Sequence, residues 1–288
     1  MSDNALDYYE SLKRAVSPIL CTTCNDQGVL KVEVEGQPKH PLNGKSVPCP
    51  NPDCKAGQAA SERLMKNRFT RAGVPEAYQP MTLDTFKQAI TAAGGNWKGK
   101  GLAYATAETF INLYPAKFSL MDVAERHRVT GYKGSAVPRH SVVFTGDTGQ
   151  GKTGLAAAIF NGLIERGIVP VYIRVQDVIA EIQSTYGKSG DPNSPTADEK
   201  FYTLITCPVL ILDEFNLENY SADRLEIVER VIRGRHGKKL PFIATTNLDD
   251  KDFRKWWGER IGDIVLTAHW IGVGGVKLRQ TVTGVESW

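Results

Sequence analysis

The 288-residue sequence predicts an α/β fold, a mostly parallel sheet flanked by helices, behind a small N-terminal zinc-binding module. Three observations carry that expectation. Gly146-Asp147-Thr148-Gly149-Gln150-Gly151-Lys152-Thr153 is a complete G-x-x-x-x-G-K-[ST] phosphate-binding loop. From residue 141 onward apolar β-branched runs alternate with helical patterns, the mark of a parallel sheet covered on both faces. Ahead of them Cys21, Cys24, Cys49 and Cys54 form a C-x2-C and a C-x4-C pair with 24 residues between.

In chain order, residues 4–16 read as a short amphipathic helix with Leu6, Tyr9 and Leu12 on one face. The cysteine module fills the rest of residues 1–58. Two short-spaced pairs suit tetrahedral Zn²⁺, because each pair sits on a tight turn and four thiolates close a structural site. Leu30 to Glu35 alternates as a half-exposed strand would, and Gly28, Gly36, Gly44, Pro48, Pro50 and Pro52 supply turns. So few large apolar side chains could hardly fold without such a staple. Redox-active or coincidental cysteines are the alternative, and His40 could replace one ligand. Cys207, before a buried strand, reads as a small core residue.

Residues 59–100 read as a linker. It holds a basic helix to Phe69, a stop at Ala72-Gly73-Val74-Pro75, and connecting chain with a break at Gly94-Gly95. Residues 101–288 read as the nucleotide-binding domain. Its first part, 101–128, looks helical and is interrupted by Pro115. Ser141 to Thr145 suits a buried strand, and Gly154 to Ile159 opens a helix. Val171 to Val175 is the next strand, and Asp177 to Tyr186 the next helix, with Val178, Ile179 and Ile182 on its apolar side. Residues 187–195 are rich in Gly, Pro, Ser and Asn and predict a mobile loop. Val209 to Leu212 and Pro241 to Thr246 are two further apolar strands, with a helix carrying Leu225, Val228 and Ile232 between them.

A strand–loop–helix unit aims backbone N–H groups, and the positive end of the helix, at one point. The candidate ligands of a nucleotide phosphate chain are therefore Gly146 through Thr153 together with Gly154. Lys152 can reach the β/γ-phosphates, and the Thr153 hydroxyl can hold Mg²⁺. In an open parallel sheet, ligands bind at the carboxyl ends of strands. Asp213 and Glu214 end an apolar strand, so they are expected beside that loop. Asp213 can support the Mg²⁺ shell while Glu214 polarises the attacking water. Asn247, at the end of the following strand, could bond the γ-phosphate or that water; a turn-forming Asn is the alternative.

The net charge of +3 is close to neutral, so any DNA contact must come from local patches. Arg230, Arg233, Arg235, His236, Lys238 and Lys239 form the densest basic run. Such residues can track phosphates in a channel, with Arg230, Arg233, Arg235 and Lys238 the candidates. A solvated helix end reads the same, and Arg233 could equally serve a subunit interface. Residues 1–6 lack an apolar signal region, and no aliphatic run could span a bilayer. The expectation is a cytoplasmic protein with no membrane partner.

The order of phosphate loop, Asp-Glu strand and strand-Thr-Thr-Asn resembles the AAA+ ATPases. Within them it is most similar to bacterial replicative-helicase loaders of the DnaC/DnaI type and their transposition relative IstB. Arg71 to Pro75 with Tyr78 and Phe86, Phe144-Thr145-Gly146, Arg230 to Arg235, and Gly258-Glu259-Arg260 carry the resemblance, which covers roughly residues 68–280. It implies a homo-oligomeric ATPase that binds ATP with Mg²⁺ and loads a DnaB-type hexameric helicase onto single-stranded DNA, the N-terminal module docking on the helicase. It also implies an arginine finger, for which Arg260 is the candidate, and a late γ-phosphate sensor at Arg279 or Lys277. The chain departs from the loaders at Asp263-Ile264, where they carry a second arginine. An IstB-like ATPase that selects target DNA and activates a transposase is the rival reading, and a nucleotide-gated adaptor with slow hydrolysis is another.

Overall fold

The computed structural model describes residues 21–31, 46–51, 53–60, 73–95, 97–128, 136–186, 196–216 and 221–278. The expected helix over 4–16, the loop 187–195, His40 and Arg279 lie outside them. The chain divides into two compact units, Met1–Arg71 and Ala72–Trp288. In the first, strands β1 (Val29–Lys31) and β2 (Ser46–Pro48) pair antiparallel, Leu30 opposite Val47. Residues 55–60 are helical. The apolar centre of this unit consists of Cys21, Cys24, Cys49 and Cys54, with Leu30 and Ala56 packed against them.

The second unit begins with a 3-10 turn at Glu76–Tyr78, followed by helix α1 (Leu83–Ala92). Thr82 and Thr85 form a reciprocal capping box that satisfies the first turn of α1. Phe86 and Ile90, four residues apart, are buried. The segment 76–100, read above as connecting chain, thus contributes a helix to the larger unit. Asn161 fastens it further, its Nδ2 donating to the Gln79 and Met81 carbonyls at 3.0 and 2.6 Å. Helices α2 (Gly101–Leu113) and α3 (Leu120–His127) follow, separated at Tyr114-Pro115 as the proline predicts.

Then come strand β3 (Val142–Thr145), helix α4 (Lys152–Glu165), β4 (Val171–Arg174), α5 (Val175–Gln183), α6 (Ala197–Thr206), β5 (Leu210–Asp213), α7 (Ala222–Gly237), β6 (Phe242–Thr246), α8 (Asp250–Val265) and β7 (His269–Gly272). The five strands form one parallel sheet in the order β4-β5-β6-β3-β7. Because side chains alternate along each strand, Val143, Ile173, Leu210, Leu212, Phe242 and Ala244 face one way. They share a core with α5, α7 and α8, which includes Phe215 stacked edge-on against Trp257 and Phe253 with ring centres 4.5 and 5.0 Å apart. Helix α4 packs on β5 and β6 and against α2 and α1. Its run of Ala156, Ala157 and Ala158 is buried, small enough for close approach of helix to sheet. The edge strand β7 was not apparent in the sequence, where the apolar run of α8 continues into it without a turn signal. All five strands being parallel, the ends of β3, β5 and β6 bring residues 146, 214 and 247 to the same edge.

Candidate active site

The phosphate loop joins β3 to α4. Gly151 caps the helix in a left-handed conformation (φ +99°), so α4 starts at Lys152, two residues before the expected Gly154. A Cβ at Gly151 would come within 2.9 Å of the Phe86 ring and 2.8 Å of Leu278, so α1 and the C-terminal strap press directly on the loop. The strap is tied down: Val273 N–H donates to Thr145 O at 2.7 Å and Leu278 N–H to Gly149 O at 2.9 Å. Buried Lys100 also bonds the Gly274 carbonyl.

Lys152 is 8% exposed, and its ammonium reaches the carbonyls of Gly146 and Asp147 at 2.6 and 2.8 Å. Thr153 Oγ1 donates to Asp213 Oδ1 at 3.2 Å. Asp213, 1% exposed, also accepts from Thr245 Oγ1 at 2.5 Å on Oδ1 and from the Tyr172 phenol at 2.7 Å on Oδ2. Burial first, and then the Asp213 charge, push ionisation of Tyr172 well above the usual tyrosine range, so the phenol remains a proton donor. Glu214 follows in a left-handed conformation (φ +55°), and its N–H donates to Thr245 Oγ1 at 3.0 Å. Asn247 N–H donates to Asn216 Oδ1 at 2.7 Å, and its Nδ2 lies 3.5 Å from Thr148 Oγ1.

Several of these groups, though not Asp213 or Tyr172, line a cavity of about 400 Å³. Thr148, Lys152, Thr153, Glu214, Asn216 and Asn247 are at its polar end, and Tyr78, Met81, Phe86 and Leu278 are the apolar part. A site with a dense donor array beside an apolar niche matches a nucleotide, phosphates toward one and base toward the other. Oxygen donors from Thr153 and a buried carboxylate are the kind that Mg²⁺ takes. Sequence reasoning missed Tyr172, Asn216 and Thr245. Only Thr245 had a visible signal, its place in the Thr-Thr-Asn step.

In the first unit, the four cysteine sulfurs lie within 4.8 Å of one another. Cys21 and Cys49 are 3.7 Å apart and Cys24 and Cys54 3.6 Å. A tetrahedron of sulfurs about 2.3 Å from a zinc ion has edges of about 3.8 Å. The backbone N–H groups of Gly28 and Gly57 donate to Cys24 and Cys54 Sγ at 3.3 and 3.2 Å, and Asn51 Nδ2 to Cys21 Sγ at 3.5 Å. Such outer bonds orient thiolates and spread their charge. Backbone N–H groups of Cys24 and Thr23 lower the Cys21 pKa, whereas burial raises that of Cys49.

The basic run behaves differently from the expectation in one respect. Arg235 is fully buried, with Nη1 donating to the Leu204 and Cys207 carbonyls at 2.7 and 2.9 Å and Nη2 to Pro241 O at 2.5 Å. It pins the ends of α6, β5 and β6 together and is not available to DNA, which corrects its assignment above. Arg230 is exposed but pairs with Asp198 at 2.8 Å and lies over the Phe201 ring. Arg233 pairs with Glu229 at 2.9 Å, and the guanidinium of Arg260, 78% exposed, is 3.7 Å from the same carboxylate. Arg260 follows a kink in α8 at Gly258 and is not among the residues lining the cavity. Lys238 caps the C-terminus of α7 through its backbone N–H. Lys277 is exposed on the strap. No helix among the described residues is long and apolar enough to cross a membrane.

The family model for IstB-like ATP binding proteins matches residues 118–271, more than half of the 288 residues. The chain belongs to that family. As an IstB-like ATP-binding protein it has its phosphate loop, Asp213-Glu214 and Asn247 inside the matched span. It is 30% identical over 149 residues to the replicative helicase loader DnaC of Escherichia coli (strain K12), covering 51% of this chain and 59% of that protein. The chain thus spans about six tenths of the length of the curated relatives it matches. Among solved structures, that of the DnaC helicase loader superposes with a TM-score of 0.51 at 19% identity, covering 69% of this chain and 100% of the other. AMPPCP-bound DnaA from Aquifex aeolicus gives 0.52 at 15% identity over 73% of this chain and 55% of that one. The fold is the AAA+ one, a parallel sheet flanked by helices.

Proposed function

We propose that this family member is a cytoplasmic, oligomeric AAA+ ATPase that uses ATP hydrolysis to place a DnaB-type replicative helicase on single-stranded DNA. The observation that carries the reading is the convergence of Lys152, Thr153 and Glu214 on one cavity, with Asp213 bonded to Thr153 directly behind it, in a chain 30% identical to the DnaC loader. The loop N–H groups and Lys152 hold the phosphates. Thr153 and Asp213 hold Mg²⁺, which neutralises phosphate charge when bound. Glu214 accepts a hydrogen bond from the attacking water and Asn247 orients the γ-phosphate or that water. Residues 1–58 form the zinc module, through Cys21, Cys24, Cys49 and Cys54, and dock on the helicase; the ATPase domain is the larger unit, Ala72–Trp288, which takes in the segment 76–100 ahead of the expected start at 101. The family match to IstB-like proteins supports the second reading, a transposition ATPase acting on target DNA.

Cys49→Ser in the full-length chain separates these ideas. The native protein, purified without chelator, should contain one zinc per chain and co-elute with a DnaB-type hexamer. The variant should lose both while binding ATP as before, because a structural zinc site holds its own module together. Undiminished helicase binding by the variant would discard the docking role. ATP-dependent filaments on duplex DNA without helicase binding would favour the transposition reading.

Arg260 is proposed to complete a neighbouring subunit's ATP site. In a single chain its exposed guanidinium lies 3.7 Å from Glu229, a carboxylate that Arg233 also pairs with, and so weak a surface contact leaves it free to turn to a neighbouring subunit. Arg260→Ala should bind ATP yet lose hydrolysis, and mixing it with Glu214→Gln should restore part of the activity. Normal turnover by Arg260→Ala at assembling concentrations would move the finger to Arg254 or Arg233.

A further inference from the structure

We infer that Thr245 is a positioning residue that sets both acidic groups of the ATPase site through one hydroxyl. Its Oγ1 donates to Asp213 Oδ1 at 2.5 Å and accepts the Glu214 N–H at 3.0 Å. A hydroxyl carries one proton and two lone pairs, so Thr245 serves both neighbours at once without competition. The proton goes to the carboxylate, and a lone pair receives the amide.

Each bond acts on a different degree of freedom. The bond to Asp213, together with that from the Tyr172 phenol at 2.7 Å, fixes the rotation of a carboxylate that is 1% exposed and so has little water to compensate. The bond from the Glu214 amide fixes backbone. Glu214 sits at φ +55°, a conformation costly for a residue with a side chain, and the turn there is held only where its surroundings over-determine it. Thr245 supplies a second hold on the same turn, because its carbonyl accepts the Phe215 N–H at 2.7 Å. Thr245 lies on β6 and both acidic residues at the end of β5, neighbouring strands of the sheet. Thr245 is itself 2% exposed, although it lines the cavity, so in the intact site its hydroxyl is committed to these two protein partners.

The inference rests on Asp213 and Glu214 acting as proposed above. Thr245→Val keeps the shape of the side chain and removes the hydroxyl, leaving the Glu214 amide without its acceptor. It is expected to slow hydrolysis about 10–100-fold, the usual cost of losing an outer partner of a ligating carboxylate. ATP affinity in EDTA should match the native protein, whereas the gain in affinity on adding Mg²⁺, read by calorimetry, should shrink. Thr245→Ser should restore both. A purely packing role would leave the Mg²⁺-dependent gain unchanged and would not be rescued by serine.

Glu214→Gln is the control. If it too hydrolyses ATP at the native rate, the reading of the acidic pair is wrong. If Glu214→Gln is slow but Thr245→Val is native in turnover and in Mg²⁺ dependence, the inference about Thr245 alone is overturned. A serine variant as slow as the valine one would also overturn it. Should Thr245→Val not fold, Thr245→Ala removes the same hydroxyl without a clash and is judged by the same measurements.

Discussion

Lys152→Ala is expected to weaken ATP binding about a hundredfold or more while the fold survives. Lys152 reaches the loop carbonyls of Gly146 and Asp147, at the lip of the cavity that Thr153, Glu214 and Asn247 also line. A charge-assisted contact between an ammonium and a phosphate in such a site is worth about 3 kcal/mol, which is about two decades in a dissociation constant. The loop N–H groups remain in the variant, so residual weak binding is expected rather than none. The sheet does not depend on this ammonium, since its core is Val143, Leu210, Leu212 and Ala244 with the helices packed on them. Equilibrium binding of a fluorescent ATP analogue, beside circular dichroism melts, separates the two effects. Native affinity in Lys152→Ala would show that the loop holds something other than a nucleotide phosphate chain.

What could be read from the chain alone divides by distance along it. The phosphate loop was legible because its chemistry is local: glycines, a lysine and a threonine at fixed spacing, with a strand before and a helix after. The placement of Asp213 and Glu214 beside it was legible for a related reason, since a short apolar run ending in two carboxylates reads as a buried strand whose carboxyl end meets the loop. The cysteine pairs declare themselves by spacing, and their sulfurs do converge. The meeting of Thr153 with Asp213 followed from their shared Mg²⁺ expectation, but the hydroxyls of Tyr172 and Thr245 on Asp213 were not legible. Tyr172, Thr153 and Thr245 come from three elements, and only the strand order β4-β5-β6 brings the two strand residues to either side of β5.

Arg235 shows the opposite failure. Its charge and its basic neighbours suggest a solvated surface, yet it is buried because the carbonyls of Leu204, Cys207 and Pro241 meet where three elements end. Carbonyl clustering leaves no trace in a residue list. Helix α1 lies between these cases. Phe86 and Ile90 have the right spacing to bury one face, but the Gly94-Gly95 break made the segment look like connecting chain.

Glu214→Gln is expected to bind ATP as tightly as the native protein and to hydrolyse it about 10²–10⁴-fold more slowly. Glutamine has nearly the same shape, and the backbone bond from residue 214 to Thr245 Oγ1 does not involve the side chain. The turn at φ +55° therefore stays in place, as does the set of hydroxyls on Asp213. What is lost is a charged acceptor lining the cavity, the group proposed above to draw a proton from water as it attacks phosphorus. Asp213→Asn should behave otherwise: a buried carboxylate with three hydroxyl donors becomes an amide that cannot accept them all, so nucleotide binding with Mg²⁺ and stability should both fall. Single-turnover hydrolysis at saturating ATP, beside the binding isotherm, distinguishes the two variants. Native single-turnover rates in Glu214→Gln would remove it from the reaction and point to Asn216 or Asn247, which also line the cavity, as the groups that order the water.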